Sequence, residues 1–410
     1  MSKLDELIKE LCPNGVEYKE LGEIVKSQRG KTITKELIED GDIPVISGGQ
    51  KPAYYHNESN KKGEVITVAG SGAYAGFLMY WNKPIFVSDA FSIECDKNYL
   101  NIKYIYYFLQ NNQMKIYSLK KGGGVPHVYF KDMQKFLVPV PPLEVQDEIV
   151  RILDNFTALT AELTTELTAR KKQYSWYRDY LLNFENKVEI VKLGNISNIV
   201  RGASPRPISN YITFEEDGIN WIKIGDVDPE SRYVEETKEK ITQEGAKKSR
   251  IVKKGDLILS NSMSFGRPYI VNQEGCIHDG WILISDYQTN YSTDFLYYLL
   301  TTNKVQKYMK DNVVSGTVQN LNIDIVKNIE IPLPPLEVQK RIVEVLDNFE
   351  KICNDLNIGL PAEIETRQKQ YEFFRNYLLT FNNEEIYALS KQASKQASKQ
   401  ASKQASKPKI

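Results

Sequence analysis

The nineteen residues at 138–156, VPVPPLEVQDEIVRILDNF, return at 331–349 as IPLPPLEVQKRIVEVLDNF. A repeat of this length constrains the fold more than any other feature of the chain, because one structural unit must be placed twice. Proline is excluded from a helix interior but tolerated at its first turn, so Pro141–Pro142 and Pro334–Pro335 each mark a helix start. Further on, RKKQYSWYRDYLLNF (170–184) returns as RQKQYEFFRNYLLTF (367–381). The offset grows from 193 to 197, so the second copy carries four more residues in its middle. Four residues are close to one helical turn and nearly preserve a helix face.

Apolar residues recur in steps of three and four through both copies. They run Val145, Ile149, Ile152, Phe156, Leu159, Leu163, Leu167 in the first and Val338, Ile342, Val345, Phe349, Ile352, Leu356, Leu360 in the second. Such spacing reads as the seam of a coiled coil. The expectation is two helices of about 40 residues, roughly 60 Å each. They pair antiparallel about a pseudo-twofold axis. Candidate pairing and partner-docking residues are Leu143, Ile149, Leu153, Phe156, Leu163 and Tyr174 in the first helix. In the second they are Leu336, Ile342, Leu346, Phe349, Tyr371 and Phe374.

Weaker matches lie between the helices. VEYKELGEIVKSQRGK (16–31) resembles VEIVKLGNISNIVRGA (188–203), and NIKYIYYFLQNN (101–112) resembles STDFLYYLLTTN (292–303). Gly123 and Val125 match Gly316 and Val318. Short β-like runs such as GEVITVAG and GDLILSNS, with Gly-rich loops and a few helices, give α+β globules. The chain therefore divides into an N-terminal helix (1–15), a globule (16–142), a spacer helix (143–187), a second globule (188–335), a second spacer helix (336–385) and a tail (386–410). The two globules share a frame and differ greatly between the matched parts. The tail repeats KQAS four times and has no apolar stripe to bury, so it reads as exposed and inert.

The 410 residues carry no net charge. Charge is concentrated locally: residues 97–135 hold seven Lys, one acid and six Tyr, and KKSRIVKK (247–254) has five positive charges. Basic stretches interleaved with tyrosine and glycine point toward phosphate and base contact. The spacer helix is mildly acidic, with five basic and seven acidic residues over 144–184, and suits protein docking better than phosphate. Four scattered cysteines and three distant histidines give no metal spacing and suit a reducing compartment. No apolar run approaches 18 residues and the first residues are not signal-like, so a cytoplasmic chain is expected.

Two variable globules alternating with two repeated helices resemble the specificity subunit of a type I DNA restriction–modification enzyme, over essentially the whole chain to about residue 385. RILDNFTALTAELTTELTARKKQY (151–174) is similar to the central helix of the type IC class, with its TAEL-like tetrapeptides. The resemblance implies that each globule reads one half of a bipartite site in double-stranded DNA. It implies that the helices set the spacing and dock two modification subunits. S-adenosylmethionine, ATP and magnesium would then sit on modification and restriction subunits, and this chain would not be an enzyme. Leu159, Leu163 and Leu167 recur every four residues, which makes TAELTTEL (160–167) a length gauge. One more tetrapeptide adds about 6 Å and about 40° of rotation beyond a full turn. The competing reading is a coiled-coil scaffold that binds protein and not DNA; the basic, tyrosine-rich stretch argues against it.

Catalytic motifs are missing. Gly70, Gly72 and Gly76 follow a strand-like run, but FLMYW after them is strand-like and the third glycine is one residue late for a dinucleotide loop. No phosphate-binding loop of the nucleotide hydrolases occurs, no Asn-Pro-Pro-aromatic motif occurs, and DAFSIECDK (89–97) lacks a nuclease spacing. Base and phosphate readers are sought among Arg, Lys, Asn, Gln and aromatics in Gly-rich loops. The candidates in the first globule are Lys51, Tyr54, Tyr55, His56, Tyr74, Lys120, Lys121, His127 and Tyr129. In the second they are Arg201, Arg206, Ser264, Arg267, Gln319 and Asn320.

Overall fold

A computed structural model describes residues 3–185, 187–229, 231–261, 265–313, 321–355 and 359–381. Ser264, Gln319, Asn320, Gly316, Val318, Leu356 and the tail lie outside the described residues. The chain forms two compact units, residues 1–163 with those from 364 onward, and residues 164–363. Each holds one globule and parts of the repeated helices.

The repeat has a specific structural cause. In the first unit a ribbon pairs Glu17–Glu20 with Leu137–Val140, Glu17 opposite Val140. In the second, Glu189–Lys192 pairs with Glu330–Leu333, Glu189 opposite Leu333. Each ribbon leads into the Pro-Pro pair and then a helix, and the glutamine of each Leu-Glu-Val-Gln is fully buried. Gln146 donates to the carbonyls of Pro141 (2.7 Å) and Tyr99 (3.1 Å) and accepts from the Asn101 N–H at 2.9 Å. Gln339 donates to Pro334 (2.9 Å) and Asn290 (2.8 Å) and accepts from the Ser292 N–H at 2.9 Å. Asn101 and Ser292 are themselves the N-caps of Ile102–Asn111 and Thr293–Thr301. One buried amide thus joins ribbon, cap and helix, and no apolar residue could satisfy the same three backbone groups.

The first helix runs unbroken over Leu143–Leu181. Val145, Ile149 and Leu153 are fully buried in the first unit's core with Tyr371, Leu378 and Leu379 of the last helix. Burial of each such side chain contributes about 1.5–3 kcal/mol relative to exposure. The expectation of a second continuous helix is corrected: it is two helices, Leu336–Asn354 and Leu360–Thr380. The break coincides with the four extra residues. A Cβ on Gly359 would lie 2.7 Å from the carbonyl oxygens of both Lys351 and Asp355, so only glycine fits there, and Pro361 follows within the next helix's first turn. The insertion therefore does not extend one helix face.

The second seam is also less complete than expected. Leu336 is 52 % exposed, and Val338, Val345 and Ile352 are exposed with it. At the matching face of the first unit Val145 is buried, and the helix Lys3–Leu11 packs into the same core, with Lys3 reaching Glu148 at 3.2 Å. Among the described residues the second globule has no short helix corresponding to Lys3–Leu11, and Val338 stays exposed.

The globules share more than their sequences suggest. The first has a four-stranded antiparallel sheet in the order Val25–Arg29, Ala90–Cys95, Glu64–Ala69, Leu78–Asn82. The second repeats that order with Asn198–Arg201, Trp281–Ser285, Leu257–Ser260, Pro268–Val271 and adds Tyr233–Val234 at the edge. Beside it, a parallel pair recurs as well: Ile43–Ile46 with Phe86–Val87, and Ile219–Ile222 with Gly275–Ile277. The second globule's extra parts include Arg250–Val252, Ile212–Thr213 and the helix Gln243–Lys247. Among the described residues no helix is long and apolar enough to cross a membrane. All four cysteines are unpaired, and burial pushes their thiols up, Cys95 to about 11.

Candidate nucleic-acid interface

The three loops that carry the candidates of the first globule, 48–59, 70–76 and 120–129, come together. Residues 70–76 and 120–129 are joined by Gly72 N–H to Pro126 O (2.9 Å), Val128 N–H to Gly70 O (3.1 Å) and a bridge between Ser71 and His127. Lys120 Nζ reaches the Ala73 carbonyl at 2.9 Å, and the 48–59 loop abuts them, since a Cβ on Gly48 would meet the Ser71 oxygen at 2.6 Å. Tyr54, Tyr55 and Tyr74 stand exposed, as does Lys51. The His127 ring stacks on Tyr129, centroids 5.9 Å apart, and Lys131 lies 5.3 Å over Tyr129. An exposed aromatic with a cation above it can stack on a base or sugar. Beneath the loops lies a cavity of about 240 Å³ lined by Ser27, Arg29, Asp89, His127, Tyr129 and Phe130 among others.

Two expectations need correction. His56 is buried, its Nδ1 accepting the Glu39 N–H at 3.1 Å and its ring edge-on to Phe86, so it supports the loop and presents no surface. The tyrosines of 97–135 are mainly structural: Tyr104 and Tyr107 are core residues of the helix Ile102–Asn111, and Tyr104 donates to Pro139 O at 2.8 Å. Several of that stretch's lysines are engaged. Lys97 pairs with Glu64 at 2.7 Å, Lys103 with Asp154 at 2.7 Å and Lys121 with Asp132 at 2.5 Å.

In the second globule the 201–206 segment gathers on Asp279. Arg201 Nε donates to the Asp279 carbonyl at 2.9 Å, Ser204 Oγ to its carboxylate at 3.0 Å, and Arg206 sits 3.5 Å from the same carboxylate. Asn261 Nδ2 holds the Asp279 carbonyl at 3.0 Å, and Leu321 N–H donates to Asn261 O at 2.8 Å. The segments at 201–206, 261 and 321 thus meet at one place. Arg267 lies over Tyr269 at 5.5 Å, on the neighbouring strand Pro268–Val271. Sequence reading missed Arg29, Asp89, His278 and Asp279. Arg29 had a signal: it falls on Arg201 at the same offset that matches 16–22 to 188–194.

Two globules sharing one four-strand order, each clamped to a repeated helix start and each presenting clustered loops with exposed cations, define a modular recognition protein. The model of the type I restriction modification DNA specificity domain matches twice, over residues 13–170 and 185–366. The chain belongs to that family of specificity subunits, and its function is to recognise DNA. It is 32 % identical over 383 residues to a putative type I restriction enzyme specificity subunit of Haemophilus influenzae, covering 90 % of this chain and 96 % of that one. It is 32 % identical over 415 residues to the type I restriction enzyme EcoR124I/EcoR124II specificity subunit of Escherichia coli, covering 94 % and 99 %. Its fold is similar to the S subunit of a type I restriction-modification system from M. genitalium, with a TM-score of 0.53, 16 % identity, and 89 % and 97 % of the two chains covered. A chain solved in work on complex assembly and conformational transition of the type I R-M system gives a TM-score of 0.62 at 17 % identity, covering 90 % and 98 %.

Proposed function

We propose that each globule reads one half of a split, asymmetric DNA site. In this reading the two helical repeats pair antiparallel about a pseudo-twofold axis and set the distance between half-sites. Two modification subunits dock on them for adenine-N6 methylation, and restriction subunits join the same assembly. S-adenosylmethionine, ATP and magnesium belong to those partners, and the complex works in the cytoplasm.

One observation carries the pairing. Phe156 stacks on Phe374 in the first unit, centroids 5.2 Å apart, and Tyr177 stacks on Phe349 in the second, 5.3 Å apart. In the repeat Phe156 corresponds to Phe349 and Tyr177 to Phe374. The two contacts are the same contact with the copies exchanged, which is the signature of an isologous interface. Reading by separate globules is supported by the shared sheet order beneath different loops. The test is to exchange residues 16–138 for the equivalent part of a relative and map methylation by the assembled complex. One half of the methylated motif should change while the other half and the spacer stay; a change in both halves refutes separate reading.

A further inference from the structure

The corner formed by Arg29–Gly30 recurs as Arg201–Gly202, 172 residues on. Both arginines end the first strand of the four-stranded core, opposite Phe91 in one globule and Ile282 in the other. The next N–H is fixed in both, Gly30 to Ala90 O at 2.8 Å and Gly202 to Trp281 O at 2.9 Å. The glycine is obligatory for steric reasons. A Cβ on Gly30 would stand 2.1 Å from Ser88 O, and one on Gly202 would stand 2.1 Å from His278 O. The backbone is therefore pressed onto a loop that carries Asp89 in one globule and Asp279 in the other. Each carboxylate is occupied by a serine hydroxyl, from Ser71 and from Ser204; Asp279 also meets His278 at 2.9 Å and Arg206 at 3.5 Å.

The Arg29 side chain is exposed and makes no hydrogen bond or ion pair among the described residues. Arg201 is also exposed and uses Nε on the Asp279 carbonyl. Each guanidinium keeps most of its five N–H donors for a ligand.

Around this corner the loops differ in sequence, length and the side chains they present. A feature locked identically into two readers of different sequences is unsuited to telling those sequences apart. It suits what every half-site has in common, the phosphate backbone, which a guanidinium fork matches. We propose that Arg29 and Arg201 are paired phosphate anchors that set the register of each globule on DNA without reading bases. The inference rests on the DNA-recognition function and adds a role to two named side chains.

The test uses the full chain assembled with its modification subunits, and a cognate duplex titrated over a salt series. Arg29→Ala and Arg201→Ala should each lower the log–log salt slope by about 0.9, and the double variant by about 1.8. Cognate and scrambled duplexes should weaken by the same factor, and the methylated motif should keep every letter. Arg29→Lys and Arg201→Lys should restore the slope, which a merely misfolded corner would not do. An altered letter in the motif would make the arginines base readers and overturn the proposal, as would an unchanged slope in the alanine variants. A wild-type complex that does not distinguish cognate from scrambled DNA would instead count against the recognition function itself.

Discussion

The two units use the same buried glutamine and different charged clamps. In the first, Asp154 of the long helix accepts from Lys103 Nζ at 2.7 Å and from Tyr107 OH, both on the helix Ile102–Asn111. In the second, the corresponding Asp347 accepts from Tyr298 OH, the counterpart of Tyr107, and from a cation of another origin. Arg232 precedes the added edge strand Tyr233–Val234, so here the recognition sheet itself is tied to the spacer helix. Its guanidinium is 2.9 Å from Asp347, 3.4 Å from Asp294 and 3.6 Å from Glu350, and stacks over Tyr298 at 4.5 Å and Tyr297 at 4.9 Å. Burial, then the Glu350 carboxylate, push the Tyr298 phenol far above its usual value, so it stays a neutral donor. Duplication preserved the contacts that satisfy backbone groups and rewired those between charges. Backbone groups are the same whatever the loops contain, while a charge needs only some partner of opposite sign.

The sharpest way to break this comparison is at the shared element. Gln146→Leu and Gln339→Leu each leave three backbone groups unpaired, one buried and two partly buried, at about 1–3 kcal/mol for the buried one and less for the others. Each should strongly destabilise its own unit by a similar amount, read by hydrogen exchange of peptides from each globule. A large loss in one unit and none in the other would show that the frames are not equivalent.

A smaller effect should separate the units. Arg232→Ala should cost about 2–3 kcal/mol, below the 3–5 typical of a buried pair because its acidic partners reach solvent. Lys103→Ala, at a half-exposed pair, should cost about 0.5–1 kcal/mol. Chemical denaturation of the two variants side by side decides it; equal losses would remove the claim that the second globule is the more tightly clamped.

A small, pH-dependent effect also belongs to the first unit. Arg151's two hydrogen bonds hold the Glu148 carboxyl down at about 2, against burial and with help from Lys3. An unfolded glutamate titrates near about 4.3, so this contribution is complete above that pH and is lost as pH falls toward 2. Exposed cationic partners limit it to about 1 kcal/mol. The melting temperature of Glu148→Gln should lie below wild type at pH 7 and converge with it only as pH falls through about 2.

Much of the frame was legible. The Pro-Pro pairs mark real helix starts, and the runs at 64–69 and 257–260 are strands. The broken second helix was written in Gly359, Pro361 and the shift of offset, but an insertion of four residues also fits an unbroken helix, and only the close carbonyls around Gly359 decide between them. The common sheet order was not legible, because it depends on pairings such as Val25–Arg29 with Ala90–Cys95 that no local pattern records. At the candidate interface the clustering of the loops was out of reach for the same reason. His56 and Tyr104 misled because a polar aromatic in a Gly-rich or basic stretch has the same letters whether it faces outward or supports the loop from within.

The break between Asn354 and Leu360 bears on how such a chain can change over generations. Two continuous rods lying side by side could change length only together, which needs two coordinated events in distant parts of a gene. A chain with one continuous rod and one interrupted rod escapes that requirement. On the proposed reading, in which helix length sets the distance between half-sites, a single replication slip in the Thr-Ala-Glu-Leu run would lengthen the continuous member alone, and site spacing would be a trait that drifts one step at a time.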